Sequence, residues 1–180
     1  MTPESLIEAN MQFWTVRSMK DTDQAYISKC WLTMLDDYAQ HSKACQDEYI
    51  KVTNRRLGSI LVDDFYVKTH LGVTEVLDRA HTLVACHAEE PDLIIGFITG
   101  EVHTTGPLVI HAIYTKSRYR NMGVARSLYA DLQSDLQSEI TDPQVLATAI
   151  TPSVRLQINR KKILVIPFSP FMGRKGRDLK

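Results

Sequence analysis

A run of β-branched and apolar residues that passes through a short polar turn straight into a helix constrains a chain strongly, and here that run is Val109 to Tyr129. Val109 to Thr115 has the composition of a strand interior, and Lys116 to Met122 is polar and turn-like. Val124, Ala125, Leu128, Tyr129, Leu132, Leu136 and Ile140 then recur at spacings of mostly three and four, the apolar face of one helix. The junction is Arg120-Asn-Met-Gly123-Val-Ala125. A glycine at a helix start removes the side chain that would keep an anion off the backbone, and the first helical N–H groups have no partner within the helix. A pyrophosphate fits such a place, aided by the helix dipole and by Arg118, Arg120 and Arg126. The same residues also read as an ordinary strand, turn and helix with a glycine for close packing, so the segment alone does not decide between the two.

Arg120-x-x-Gly123-x-Ala125, preceded by Tyr119 and a strand, resembles the acyl-CoA-binding motif R/Q-x-x-G-x-G/A of the GNAT superfamily of N-acetyltransferases. The motif is short, so its weight depends on the order of the surrounding elements. Phe13 to Met19 reads as a strand, and Lys20-Asp-Thr-Asp-Gln24 as a helix start with a box-like pair, Asp21 and Gln24. Ile27, Cys30, Trp31, Met34, Leu35 and Tyr38 keep helical spacing. A second helix is expected from about Gln46 to Val62, while Asp63 to Arg79 is ambiguous. His81 to His87 and Leu93 to Glu101 form a hairpin about Ala88-Glu-Glu-Pro-Asp92, and a turn from His103 to Pro107 leads into the opening strand. The long helix is expected to end near Thr141-Asp-Pro143. After it come a strand at Val145 to Ile150, a short helix at Pro152 to Lys161 and a strand at Ile163 to Ile166. This order matches the resemblance from about Phe13 to Ile166. The expected fold is therefore α/β: a GNAT-like mixed, mostly antiparallel sheet flanked by helices, in one domain over residues 1–180 with an irregular basic tail from about 167.

The 180 residues suffice for one domain with a sizeable core. No segment is long and apolar enough to span a membrane, and Glu4 and Glu8 are unlike a signal peptide, so a cytoplasmic protein is expected. Cys30, Cys45 and Cys86 are odd in number and widely spaced, which points to reduced thiols. The six histidines show no ligand spacing, and no metal is expected. No phosphate-loop motif G-x-x-x-x-G-K-[ST] occurs. The chain is neutral overall, but from Arg155 onward eight basic residues face Asp178 alone, a balance of +7 that leaves −7 for the rest. Such a tail is more often a solvated terminus than a nucleic-acid contact.

The resemblance implies acetyl-CoA as acyl donor and a small-molecule or protein amine as acceptor. Backbone at Ala112, Ile113 and Thr115 would hold the pantetheine arm, and Arg120, Asn121, Met122, Gly123, Val124 and Ala125 the pyrophosphate. Family members often carry a glutamate near the start of the strand, where this chain has Pro107. His111 falls where aralkylamine N-acetyltransferases place a histidine, and imidazole suits a general base. Glu101 and His103, at the neighbouring strand end, are expected to act through water. The family's asparagine and tyrosine after the fifth strand correspond to Ser153 and Asn159, and Asn159 cannot act as an acid. The leading expectation is thus an acyl-CoA-dependent N-acyltransferase with His111 and Glu101 as catalytic residues. Its rival is a GNAT-fold structural or interaction protein without turnover, of the kind found among tailed-phage components. Third is a nucleic-acid-associated protein acting through the tail. The oligomeric state is open, a homodimer being one option.

Overall fold

The computed structural model describes residues 13–41, 62–148 and 163–165, with side chains described over 13–34 and 71–148. Among these residues six strands form one sheet in sequence order: β1 (Trp14–Ser18), β2 (His81–His87), β3 (Ile94–Val102), β4 (Pro107–Thr115), β5 (Asp142–Ala147) and β6 (Ile163–Val165). Each of the first four is antiparallel to its neighbour, whereas β5 runs parallel to β4 and β6 parallel to β5. Three helices accompany the sheet: α1 (Gln24–His41), α2 (Val62–Arg79) and α3 (Val124–Asp135). No helix among the described residues is long and apolar enough to cross a membrane.

Successive strand residues point to opposite faces, so each apolar strand supplies two cores. Leu83, Ala85, Ile98, Leu108 and Ile110 lie with Val124, Leu128, Leu132 and Leu136 of α3 and its C-terminal extension. On the other face Val84, Cys86, Phe97 and Ala112 lie with Ile27 and Trp31 of α1 and Val73, Val76 and Leu77 of α2. The approach of α3 to the sheet depends on glycine. A Cβ on Gly100 would sit 2.8 Å from the Val109 carbonyl oxygen and 2.9 Å from Leu132 Cδ2.

Several boundaries differ from the sequence expectation. The ambiguous stretch from Asp63 to Arg79 is helical, carried by Val73, Val76 and Leu77, which reach one core at spacings of three and one. α3 ends at Asp135 rather than near Thr141, because Ser134, Asp135 and Ser138 compete for backbone hydrogen bonds and favour turns, although Ile140 N–H still donates to the Leu136 carbonyl. β4 begins at Pro107 and β5 already at Asp142, so Pro143 lies inside a strand start. At the first helix, the Lys20 N–H donates to Asp23 Oδ2 at 2.8 Å, so Asp23 fills the box instead of Asp21 and Gln24. Arg17 binds the same carboxylate with two nitrogens, at 2.6 and 3.2 Å, fixing β1 to the start of α1. The helices expected at about Gln46 to Val62 and at Pro152 to Lys161 fall outside the described residues, except for Val62 itself. So do Ser153, Asn159 and the basic tail.

Candidate active site

The site is built on a change of partner along β4. Leu108, Val109 and Ile110 pair with β5 residues Val145, Leu146 and Ala147, and the Thr148 N–H still donates to the Ile110 carbonyl at 2.9 Å. On the other side, Thr99 of β3 faces Ala112 while Gly100 faces Ile110, which leaves His111 as an extra residue in β4. This is a β-bulge. The His111 carbonyl accordingly also faces the β5 side, where it accepts from Oγ1 of Thr148, the residue after β5, at 3.1 Å.

Beyond the bulge β4 continues to Thr115, paired with β3 alone among the described residues. The Lys116 N–H donates to the Ile95 carbonyl at 2.8 Å, which sets the alternation. Ala112 and Tyr114 turn their backbone groups toward β3, and Ile113 and Thr115 turn theirs toward the open edge. The Thr115 carbonyl accepts from Arg120 Nε at 3.2 Å. Among the described residues nothing takes up the backbone groups of Ile113 or the N–H of Thr115 at that edge.

That edge runs directly into the turn. Ser117 to Tyr119 makes a single 3-10 turn anchored by the buried Tyr119 ring, over which Arg118 is stacked with its guanidinium carbon 4.7 Å from the centroid. Asn121 has φ 65° and Gly123 φ 92°, and Gly123 is the N-cap of α3. A Cβ added at Gly123 would meet nothing within 4 Å among the described residues, so the chain is uncrowded where α3 starts, and the first N–H groups of the helix have no partner within it. Met122 and Val124 turn into the α3 core and hold the turn in place. Asn121, Arg120 and Arg126 are exposed beside the opening, and Ala125 is half-buried in the first turn.

On the face of the sheet toward α1 and α2, His111 is fully buried and lies under Trp31, with ring centroids 6.3 Å apart. Its Nε2 is 2.8 Å from Glu101 Oε1. Arg79 grips that carboxylate from the end of α2, Nε donating to Oε2 and Nη2 to Oε1, each at 3.0 Å. Burial works to raise the Glu101 pKa, but the hydrogen bonds from His111 and Arg79 outweigh it and bring it down to about 2. Glu101 is thus an anion throughout the neutral range. His103, by contrast, is spent on its own turn: its Nδ1 is 2.8 Å from Thr105 Oγ1 and accepts the Thr105 N–H at 3.2 Å.

Sequence reading singled out neither Arg79 nor the phenols Tyr26 and Tyr114. Burial pushes both phenols up in pKa, with a hydrogen bond to Cys30 adding to the effect at Tyr26. They therefore stay protonated and able to donate. The only signal for Tyr26 was its position one helical turn before Cys30; Arg79 carried none, because its partner is 22 residues away. An open groove of about 400 Å³ is lined by Arg17, Asp131 and Asp135, among others, but it lies beside β1 and the last turns of α3, away from the β4 edge. Among the described residues no three His, Cys, Asp or Glu side chains converge as metal ligands.

Comparison with known proteins bears on this arrangement. The model of the acetyltransferase (GNAT) family matches residues 49–142, which include the whole of β4, the turn and α3. Among curated proteins none matches the chain. Among solved structures, AAC(6')-Iy in complex with the bisubstrate analogue CoA-S-monomethyl-acetylneamine is 13% identical, with a TM-score of 0.51 over 87% of this chain and 97% of that one. A GNAT-family acetyltransferase from Staphylococcus aureus Mu50 is 11% identical, with a TM-score of 0.50 over 82% of this chain and 81% of that one. A GCN5-related N-acetyltransferase from Rhodopseudomonas palustris is 13% identical, with a TM-score of 0.50 over 81% and 79% of the two chains. At these identities the structures speak for a shared fold.

Proposed function

The chain belongs to the GNAT acetyltransferase family, and we propose that it is an acyl-CoA-dependent N-acyltransferase that moves an acetyl group from acetyl-CoA to a primary amine of a small molecule or a protein. The observation that carries this reading is the continuity of the open β4 edge, from Ile113 to Thr115, with the open N-terminus of α3 at Gly123. An extended arm bearing amides pairs with a strand edge, and a pyrophosphate suits unpartnered helical N–H groups. One site needs both, a few residues apart. The complex of AAC(6')-Iy, whose ligand contains CoA, agrees with that donor.

In this reading the Ile113 backbone and the Thr115 N–H hold the pantetheine arm, while Ala112 keeps the strand in register by pairing with Thr99. The backbone from Asn121 to Ala125 holds the pyrophosphate, with Arg120 tied across the turn by its bond to Thr115. The bound donor supplies an activated thioester. His111 takes the proton of the attacking amine, and Glu101 supports the imidazole through the 2.8 Å contact. The whole chain then acts as one domain with its basic tail outside the chemistry. A reading without turnover draws support from Pro107, whose carbonyl serves the hairpin by accepting the His103 N–H at 2.9 Å and which offers no acid or base.

Calorimetric titration of the full chain with acetyl-CoA tests the donor. Gly123 has positive φ, so Gly123→Asn, which tolerates that conformation, serves as the control for Gly123→Glu. Wild type and Gly123→Asn should bind, and Gly123→Glu should lose about tenfold or more from placing like charges together. Equal affinity in all three, or no binding by wild type, contradicts the proposal. Binding without thiol release in the presence of tryptamine, spermidine or an alanyl peptide would favour the reading without turnover.

A further inference from the structure

We infer that Arg79 is a positioning residue which, through Glu101, fixes His111 as the Nε2–H tautomer and so makes Nδ1 the ring nitrogen that takes up a proton. The inference rests on the reading of His111 as the base. Its geometry stands on three elements. Arg79 is the last residue of α2, Glu101 lies near the end of β3, and His111 is the extra residue of the β4 bulge. Side-chain exposure falls along them from 26% at Arg79 to 16% at Glu101 and 0% at His111, a polar line leading from solvent into the apolar core.

An ionised carboxylate only accepts hydrogen bonds. The nitrogen that faces Glu101 Oε1 at 2.8 Å must therefore carry the hydrogen. A neutral imidazole has one N–H, so its lone pair then resides on Nδ1. Glu101 can enforce this only while it stays charged and does not rotate. Arg79 secures both, because two nitrogens of one planar fork engage the two carboxylate oxygens. Lysine could supply the charge but not the fork. Among the described residues Glu101 faces the ring, with Arg79 behind it. α1 presents the neutral Trp31 indole, and just past the end of β5 the Thr148 hydroxyl donates to the His111 carbonyl.

The test is nitrogen-15 NMR of the His111 ring in the full chain, at a pH where the imidazole is neutral, for wild type, Arg79→Met, Arg79→Lys and Glu101→Gln. The expected result is one Nε2–H tautomer in wild type, a mixture in Arg79→Met and Glu101→Gln, and partial recovery in Arg79→Lys, which supplies the charge without the fork and also guards against a variant that fails to fold. An Nδ1–H tautomer in wild type, or a ring unchanged by Arg79→Met and Glu101→Gln, overturns the inference. Thiol release from acetyl-CoA with tryptamine as probe reports separately on the acyltransfer reading. If Arg79 positions the base, Arg79→Met lowers kcat by up to about 10²-fold with the KM for acetyl-CoA unchanged. Absence of turnover in wild type, together with the expected tautomer pattern, would refute the base assignment and leave the role of Arg79 at the ring standing.

Discussion

The two halves of β4 are built from similar residues and differ in what they can do. Leu108, Val109 and Ile110 are buried and flanked by β3 and β5, so their backbone groups are taken on both sides. Ile113 to Thr115 is only half-buried and has β3 on one side. The divider is a single extra residue, His111. A strand that starts as scaffold thus ends as an edge with a single described neighbour, and the bulge that separates the two also turns a titratable ring toward Glu101. The packed half and the proposed reactive half are neighbours because one backbone irregularity separates them.

Stability measurements should separate the halves most widely. Ile110→Ala, at a position 3% exposed against α3, is expected to cost about 2–5 kcal/mol in denaturant unfolding, as for other large-to-small changes in packed cores. Ile113→Ala, at the partly buried edge, should cost less than half as much. Similar losses at both positions would break the contrast. Overpacking the scaffold comes next: Gly100→Ala forces α3 or the Val109 carbonyl to move and should cost about 1–3 kcal/mol, with Gly123→Asn costing less because its Cβ meets open space.

Acid provides a finer probe of the bulge. The folded-state pKa of Glu101, about 2, lies below its ordinary value of 4.5, so its pairing stabilises the protein above that ordinary value. The contribution falls as pH drops from the ordinary value through about 2. Compared with Glu101→Gln, wild type should gain roughly 2 kcal/mol at neutral pH, with the gap closing as the carboxylate is protonated. A gap that stays constant through the acid range would show that the Arg79–Glu101–His111 line does not hold the charge. The smallest effect is expected at the far end of the chain. Truncation after Met172 removes Arg174, Lys175, Arg177 and Lys180, and acetyl-CoA affinity should not change. Any retention of duplex DNA by the full chain should be weak and decline steeply with salt.

The contrast between the halves was only partly legible in the sequence. The β-branched run of β4, the hairpin before it and the apolar face of α3 follow from local periodicity, which is why those elements exist and Gly123 opens the helix, although β4 starts earlier and α3 ends sooner than periodicity alone suggests. The bulge leaves no local mark, since His111 interrupts an apolar run just as a buried structural histidine would. Arg79 and Glu101 meet across 22 residues, a separation that side-chain spacing within one element cannot reveal. α2 was obscured by Thr69, Gly72 and Thr74 within its apolar pattern, and by Leu71, which is 58% exposed and off the buried stripe. The cap at Asp23 was misplaced because Asp21, Asp23 and Gln24 all suit a helix start, and only the reach of Arg17 selects among them.

Backbone hydrogen exchange with and without acetyl-CoA tests most directly whether the open half of β4 and the start of α3 form one donor site. The Ile113 and Thr115 amides, with those of Val124 and Ala125, should exchange freely in the unliganded protein and become protected on addition of acetyl-CoA. Leu108 and Ile110 should be protected in both states. No change at the edge, or new protection confined to the groove beside Asp131 and Asp135, would contradict the account.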